Sequence, residues 1–402
     1  MESAPTAQPA VSRGTLIAMA AGCGITVGNI YFCQPLLDQM AVSFGVPEHI
    51  AGLVAVATQV GYAIGLMFIL PLADAVNHKR LIRILLWMTT ASLAAAAFSP
   101  TVPVLIAASL AISVTTVVPQ MLIPIVSGLV PPRQRGRVIG TLQTGLILGV
   151  LLSRTVSGSI AEATDTWRTS YVLAAVLTGG LALLLPRMIP PQAARTVHIS
   201  YLTLMRSLLP LLKLRPLLLS MGLGFCGFAA FSVFWATLAF HLASPTFNLG
   251  PAMAGLFGLL GAPGGLLAPY AGRLSDKYGT LAVNAFGLTA AAIAFVVSGT
   301  FGAVSLLALV VVVNVIDLGM QSGQVANQTR IFALGDGIRA RLNTIYMVSV
   351  FVGGATGSFA GAYAWTFAGW RGVSALGLGL IIAAALFLVA MRKNDKAPQP
   401  IA

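Results

Sequence analysis

The chain has 402 residues, of which 57% are hydrophobic and 8% are charged, and its formal net charge is +13. A soluble globular domain carries about 25% charged residues, so this composition excludes a water-soluble fold and predicts an integral membrane protein. The three cysteines lie in apolar runs without metal-ligand spacing, which predicts packing roles and neither a disulfide framework nor a metal site.

Twelve apolar runs are long enough to cross a bilayer as helices, since about 20 apolar residues span it. The first run follows Arg13 and is too long for the apolar region of a signal peptide, so we predict a retained membrane helix. The runs of the first half are 14–37, 50–73, 81–99, 102–126, 136–160 and 168–189. Those of the second half are 217–241, 252–274, 280–299, 303–328, 340–364 and 371–391.

The distribution of basic residues predicts the orientation of the spans. All but three of the 23 lysines and arginines fall in segments on one side of the membrane, the exceptions being Arg154, Arg168 and Arg371. Short loops rich in basic residues face the cytoplasm, so both termini are predicted to be cytoplasmic. The high net charge then needs no nucleic acid to explain it.

The longest connection predicts a domain boundary. The predicted organisation is a cytoplasmic tail at 1–13, a six-helix bundle at 14–189, a cytoplasmic loop at 190–216, a second bundle at 217–391 and a cytoplasmic tail at 392–402. Within the loop, Leu202, Met205 and Leu208 recur at helical spacing, which predicts a short helix on the inner membrane face that Pro210 bends or ends.

The two halves of the sequence resemble each other at an offset of about 200 residues. The segment 44–53 matches 247–256, the pair Trp167-Arg168 matches Trp370-Arg371, and Arg137 matches Arg341. Gln120 in span four likewise corresponds to Gln321 in span ten. Six spans in each repeat make the repeats parallel, and such repeats enclose a substrate cleft at their interface.

The segment Gly272–Gly279, GRLSDKYG, resembles the signature loop of the major facilitator superfamily at all eight positions. The corresponding loop after span two keeps Asp74, Lys79 and Arg80, but it has Leu70 and Asn77 where the family has glycines. Asn77 is expected to replace glycine in a left-handed turn. The resemblance implies an all-α membrane fold with twelve helices, arranged as two six-helix repeats around a central cavity.

The same resemblance implies a conformational latch on the cytoplasmic side, in which Asp74 pairs with Arg135 or Arg137 and with a facing helix N-terminus. The residues expected in this latch are Asp74, Lys79, Arg80, Arg135, Arg137, Gly272, Arg273, Asp276, Lys277 and Gly279. A solvated turn is the alternative. The chain is most similar to the bacterial arabinose and drug efflux branch, but Arg154 stands where that branch has a proline in span five, and 105–126 lacks a span-four arginine.

Two ionisable residues are predicted deep inside spans, where a charge costs at least about 2.5–3.5 kcal/mol and indicates function. Asp317 lies near the middle of span ten and shares a helix face with Gln321, so we predict a proton-coupling or cation-recognising carboxylate. A buried packing aspartate is the alternative. The predicted partners of Arg154 are Gln34 and Asp38, in a buried structural ion pair, and direct contact with the substrate is the alternative.

The resemblance implies that spans one, four, seven and ten line the cavity. The further cavity candidates are Asn29, Tyr31, Gln34, Gln120, Trp235 and Asn314. For Tyr31 and Trp235, packing is the alternative. His241 is predicted as an exposed interfacial residue, and the two Trp-Arg pairs as anchors at the membrane surface. Three prolines, Pro119, Pro263 and Pro269, are expected to break their helices.

The resemblance implies a secondary transporter in a bacterial inner membrane that exports a small drug-like or sugar-like molecule in exchange for protons by alternating access. An importer or a uniporter is the alternative in the same class. A membrane enzyme would need clustered nucleophiles or metal ligands, but the four histidines are scattered. A phosphate-binding glycine-rich loop with a lysine is also missing, which excludes direct ATP drive unless a partner supplies it. The predicted partners are the substrate, protons and lipid, without cofactor, metal or nucleic acid, and one chain is expected to suffice.

Overall fold

A computed structural model describes residues 13–189 and 201–392, and within these ranges the regular structure is helical without strands. Ten helical stretches are long and apolar enough to cross a membrane. The first half of the chain contains α1 Arg13–Tyr31, α2 Leu37–Phe44, α3 Glu48–Ile64, α4 Leu72–Ala75, α5 His78–Ala97, α6 Val102–Thr115, α7 Val118–Gly128, α8 Pro132–Ala163 and α9 Trp167–Met188.

The second half begins with a short helical connection. Its helices are α10 Tyr201–Arg206, α11 Arg215–Ala243, α12 Pro251–Leu260, α13 Ala262–Leu266, α14 Ala268–Tyr278, α15 Thr280–Thr300, α16 Leu306–Phe332 and α17 Arg339–Arg392. The predicted short helix of the central loop is confirmed by α10, which is followed by a 3-10 helix over Leu209–Lys213. The predicted tails and the segment 190–200 lie outside the described residues.

Helix starts follow local capping chemistry. Asn77 accepts a hydrogen bond from the backbone N–H of Arg80 at 3.1 Å and so caps α5. Ser305 does the same for α16 through the N–H of Ala308. Such caps satisfy backbone donors that the first helical turn leaves open. The expected left-handed turn at Asn77 is wrong, because its φ is −63°.

The predicted proline breaks are confirmed. The helix of span four is interrupted at Thr116–Val117, just before Pro119, and the stretch from Pro251 to Tyr278 is divided before Pro263 and again before Pro269. Proline lacks an N–H group and clashes with the preceding turn, so a continuous helix is unfavourable at these points.

The last helix is too long for one crossing. At 1.5 Å per residue its 54 residues would extend about 80 Å, whereas the hydrocarbon core is about 30 Å thick. Gly369 interrupts it with φ 56° and ψ −152°, inside the gap predicted between spans eleven and twelve. Ten candidate spans are therefore described, and the arrangement of twelve spans in two repeats stays a prediction.

Glycines allow the helices to approach closely. A Cβ atom at Gly149 of α8 would overlap the backbone of Gly24 in α1, and one at Gly357 of α17 would overlap the backbone of Ala229 in α11. Small residues at such contacts let backbones meet in the absence of a strong hydrophobic drive within lipid. Gly149 therefore allows the backbones of α1 and α8 to touch.

Candidate functional site

A cavity of about 580 Å³ lies in the middle of the helix assembly, and we call it the central cavity. Its walls come from α1, α3, α7, α8, α11, α13, α16 and α17. These include the helices of spans one, four, seven and ten, as the resemblance implied. Its lining residues include Tyr31, Tyr62, Gln120, Gln143, Arg154, Phe228, Phe231, Asp317, Met320, Gln321, Gln324, Met347 and Phe351.

A second cavity of about 680 Å³, the vestibule, adjoins the central cavity. The two share Gln120, Pro124 and Asn343 as lining residues. The vestibule also borders Asn77, Lys79 and Arg341, which belong to the segments rich in basic residues. The path from the central cavity therefore leads to the basic end of the molecule.

The opposite end is closed by a seam between α8 and α12. The Thr155 hydroxyl donates to the carbonyl oxygen of Gly255 at 3.0 Å. Glu162 Oε2 accepts from the backbone N–H of Ala252 at 2.9 Å, so a carboxylate of the first half caps the N-terminus of α12 in the second half. A cap of this kind is favoured by the helix dipole.

A second contact closes the same end between α3 and α17. The His49 ring lies 5.0 Å from the Tyr363 ring. A Cβ atom at Gly52 would lie 2.8 Å from the side chain of Ala362, which shows how closely the two helices approach. Together with the seam, this contact joins the two halves at the end of the central cavity away from the vestibule.

Arg154 lies between the central cavity and the seam and is only 2% exposed. Its Nε donates to Gln34 Oε1 at 2.7 Å, as expected for the first of its two predicted partners. Its guanidinium lies 3.9 Å from the Trp235 ring centroid and 5.0 Å from that of Tyr31. Cation–π contacts of this kind stabilise a desolvated arginine. Asp38, the other expected partner, is not among the described contacts of Arg154.

Asp317 lines the same end of the cavity from α16 and is 7% exposed. Its carboxylate packs against Gly261, where a Cβ atom would lie 2.7 Å from Oδ2. It interacts electrostatically with Arg154 and lies close to the Trp235 indole. Within the described residues, Asp317 Oδ1 and Arg154 Nη2 complete no hydrogen bond. The structure thus brings together the two ionisable residues that the sequence singled out.

Gln120 of α7 and Gln321 of α16 both line the central cavity. Gln120 Nε2 donates to the Tyr62 hydroxyl at 3.2 Å. Tyr31 also lines the cavity, and its ring packs against the Arg154 guanidinium.

Four expected cavity residues do not line the central cavity. Asn29 donates to the Thr178 hydroxyl at 3.2 Å and borders an apolar groove between α1, α8 and α9. Gln34 and Trp235 lie behind Arg154, in a separate small space. They contribute through Arg154 instead of facing the cavity, and their expected places on its wall are wrong.

Asn314 has a structural position. Its Nδ2 donates to the carbonyl oxygen of Leu260 at 2.8 Å, and its Oδ1 accepts from the N–H of Gly264 at 3.0 Å. These are backbone groups that the break between α12 and α13 leaves without helical partners. The asparagine therefore holds a broken helix together, and its expected place in the cavity is wrong.

The first signature segment is only partly described, because the side chain of Asp74 lies outside the described residues. Lys79 lines the vestibule, and Arg80 is exposed. Arg135 and Arg137 are exposed on the first turns of α8. The latch between Asp74 and these arginines stays a prediction.

The second signature segment is not a loop for most of its length. Residues 272–278 form the end of α14, and Gly279 follows with φ 85°, a conformation that L-residues with a side chain rarely adopt. Arg273 and Lys277 lie over the rings of Tyr270 and Tyr278, at 5.5 and 5.0 Å. Asp276 is exposed and has no ion pair among the described side chains.

One buried charge was missed by the sequence reasoning. Arg330 was assigned to an aqueous loop, yet it lies within α16 and is 7% exposed. Its Nη1 donates to the Ser220 hydroxyl at 3.2 Å and to Asn327 Oδ1 at 3.0 Å. Arg330 lies just beyond the apolar run of span ten, and hydropathy locates a helix end only within a few residues, so the sequence placed it outside the helix.

Glutamines of the central cavity were also missed. Gln324 and Gln328 follow Gln321 on α16 at helical spacing, and Gln143 faces them from α8. The recurrence of glutamine at i, i+3 and i+7 was the available signal, since these positions share one helix face.

His241 and the two tryptophans of the Trp-Arg pairs are buried, so their predicted places at the membrane surface are wrong. His241 Nε2 lies 3.0 Å from the Gly302 carbonyl oxygen, and its ring stacks on Trp370 at 4.0 Å. Trp370 Nε1 donates to the Ser298 carbonyl oxygen, and Trp167 is 1% exposed. A buried indole needs a hydrogen-bond acceptor, and helix packing supplies one for Trp370.

Comparison with known sequences adds relatives over most of the chain. Residues 17–333 match the sequence profile of the Major Facilitator Superfamily. Uncharacterized transporter YgaY of Escherichia coli O157:H7 is 36% identical over 368 residues, which cover 91% of this chain and 93% of that protein. Probable transporter SCO4007 of Streptomyces coelicolor is 34% identical over 372 residues, covering 91% of this chain and 85% of that protein.

Solved structures share the same fold at low sequence identity. A bacterial homolog of the human lysosomal transporter Spinster, in an inward-facing and unoccupied conformation, has a TM-score of 0.71 at 15% identity, with 97% of this chain and 98% of that chain covered. The nucleoside transporter NupG has a TM-score of 0.72 at 14% identity, with 95% and 99% covered. The peptide transporter POT has a TM-score of 0.73 at 16% identity, with 94% of each covered.

Proposed function

Because this chain belongs to the major facilitator superfamily, and is therefore a multi-pass membrane transporter, we propose that it exports a small organic molecule in exchange for protons. Alternating access is the proposed mechanism. The molecule enters the central cavity from the basic end, the seam between α8 and α12 opens, and the vestibule closes behind it. A drug-like or sugar-like solute fits a cavity of about 580 Å³, which lies within the usual range for ligand pockets.

The observation that carries this proposal is the position of Asp317. It is a buried carboxylate on the wall of a cavity that leads toward water, with the Arg154 guanidinium as its electrostatic partner from the other half of the chain. An ionisable group at membrane depth is costly and marks proton or substrate pathways in transporters. A proton arriving on Asp317 would weaken its attraction to Arg154, which couples protonation to the contact between the halves.

The proposed architecture has twelve crossings. The tenth candidate span divides into two at Gly369, and the broken stretch Pro251–Tyr278 adds one more. We place 14–189 and 217–391 in two six-helix bundles, with both termini on the cytoplasmic side of a bacterial inner membrane. A single chain encloses the central cavity, which supports function as a monomer.

Proton-coupled import, or uniport, is the second candidate. Arg154 stands where the efflux branch has a proline, and this departure concerns the helix that forms the closed end. A buried arginine there changes the charge of the site that an antiporter must protonate and deprotonate. Direction therefore has to be measured.

Everted vesicles with an imposed pH gradient separate these possibilities. A panel of dyes, sugars and antibiotics is added, and proton movement is followed with a pH-sensitive dye. We expect substrate-stimulated proton release from vesicles that contain the native chain and none from Asp317→Asn at equal expression. Asp165→Asn, the same change on an exposed turn, is the matched control and should behave as the native chain. Full coupling in Asp317→Asn would remove that carboxylate from the proposed role.

A further inference from the structure

The central cavity offers hydrogen bonds from side-chain amides. Gln321 and Gln324 lie on one face of α16, and Gln143 lies on α8 in the other half of the chain. Within the described residues, none of these three side chains has a hydrogen-bond partner, and all are at least partly exposed to the cavity. Gln328 differs because it donates to Asn343 Oδ1 at 3.2 Å. Each free amide presents both a donor and an acceptor.

The same cavity has an aromatic cluster formed by Tyr62, Phe228, Phe231 and Phe351. The Phe228 ring stacks on Phe231 with centroids 5.4 Å apart and an interplanar angle of 13°. It meets Phe351 edge-on at 5.3 Å, and Tyr62 meets Phe351 at 4.5 Å. Met320 and Met347 complete this apolar lining, and methionine adapts easily to ligands of different shape.

The charges on the cavity wall are balanced. Apart from tyrosines, the ionisable side chains that line it are Arg154 and Asp317, which have opposite signs and interact with each other. A ligand with a net charge would enter a site whose own charges already compensate each other. Moving a charged ligand out of water costs several kcal/mol per ion, and the cavity wall offers no free opposite charge to offset that cost.

We propose that the central cavity selects an uncharged amphiphile. Its hydroxyl, carbonyl or amide groups bind to Gln143, Gln321 and Gln324, and its apolar face packs on the aromatic cluster. Because Gln143 belongs to the first half and the other two belong to the second, the ligand connects the halves. This inference rests on the transport function proposed above and names its substrate class.

The test uses three aryl sugars of the same size that differ in charge. The probes are para-nitrophenyl β-D-glucoside, which is neutral, the corresponding glucuronide, which is an anion, and the corresponding 6-amino-6-deoxyglucoside, which is a cation at neutral pH. Binding to the purified chain in nanodiscs is measured at equal pH on both sides, by equilibrium dialysis with absorbance detection. We expect the neutral glucoside to bind at least tenfold more tightly than either charged probe.

Substitutions test which residues bind the polar groups of the ligand. Replacement of Gln143, Gln321 or Gln324 by leucine should raise the Kd of the neutral probe about fivefold each, since a net hydrogen bond is worth about that factor. Gln134→Leu is the matched control, because Gln134 is an exposed glutamine of α8 outside the cavity wall, and it should leave the Kd unchanged.

Any of three results would overturn the proposal. The first is a charged probe that binds as tightly as the neutral glucoside, and the second is no binding by the glucoside. The third is an unchanged Kd in all three leucine variants. Since the measurement involves no proton gradient, loss of coupling in the vesicle experiment would leave this result standing, and a failure here would leave proton coupling untouched.

Discussion

The closed end can be opened by one substitution, Gly255→Val. A Cβ atom at residue 255 would overlap the backbone carbonyl group of Arg154, so α8 and α12 must separate at this point. Two hydrogen bonds across the seam are then lost, one from Thr155 to Gly255 and one from Ala252 to Glu162.

The size of the effect follows from these two bonds. The neutral bond from Thr155 contributes about 1 kcal/mol. The exposed carboxylate of Glu162 at the N-terminus of α12 contributes about 0.3–1 kcal/mol. Together they favour the closed end by about 1.3–2 kcal/mol. Since about 1.36 kcal/mol corresponds to a tenfold change, their loss shifts the ratio of closed to open molecules by about 9- to 30-fold. A population whose closed state is favoured by less than this factor becomes mostly open.

Pulsed electron resonance between spin labels at Ala163 and Thr246 measures this opening. The native cysteines are first replaced by serine at Cys23, Cys33 and Cys226. We expect a longer label-to-label distance to dominate in Gly255→Val. The control is Gly180→Val, because a Cβ atom at Gly180 meets no other atom within 4 Å. An unchanged distance distribution in folded Gly255→Val protein would refute the role of the seam.

Three further substitutions follow from the contacts. Gly149→Val forces α8 away from α1, so its thermal unfolding temperature should fall well below that of Gly180→Val, and equal values would contradict the tight contact. Asn314→Leu leaves two backbone groups of a helix break without partners, at about 1–3 kcal/mol each, and should lower the unfolding temperature; native stability would show that water replaces the amide. Arg154→Met removes the electrostatic partner of Asp317 and should slow transport at least tenfold at equal expression, whereas an unchanged rate would show that the cation is dispensable.

The sequence was sufficient to identify the two charged residues of the site. A charge at membrane depth is rare enough that Asp317 and Arg154 could be selected without coordinates, and both line the cavity. It failed for Asn29 and Asn314, whose amides fit either a cavity wall or a helix contact. Asn314 faces the break in the neighbouring helix, and Asn29 faces Thr178. Residue type does not distinguish these positions.

The sequence by itself determined the membrane class, the helical architecture, the proline breaks and the family, because hydropathy, backbone chemistry and the signature segment act locally along the chain. Only the tertiary structure decided which faces of the helices meet. It buried His241 and Trp370 against each other, and it brought Arg154 of α8 to Asp317 of α16. The physical reason is that an apolar span is hydrophobic on all sides, so its periodicity does not tell lipid from protein, and close contacts between helices make that choice.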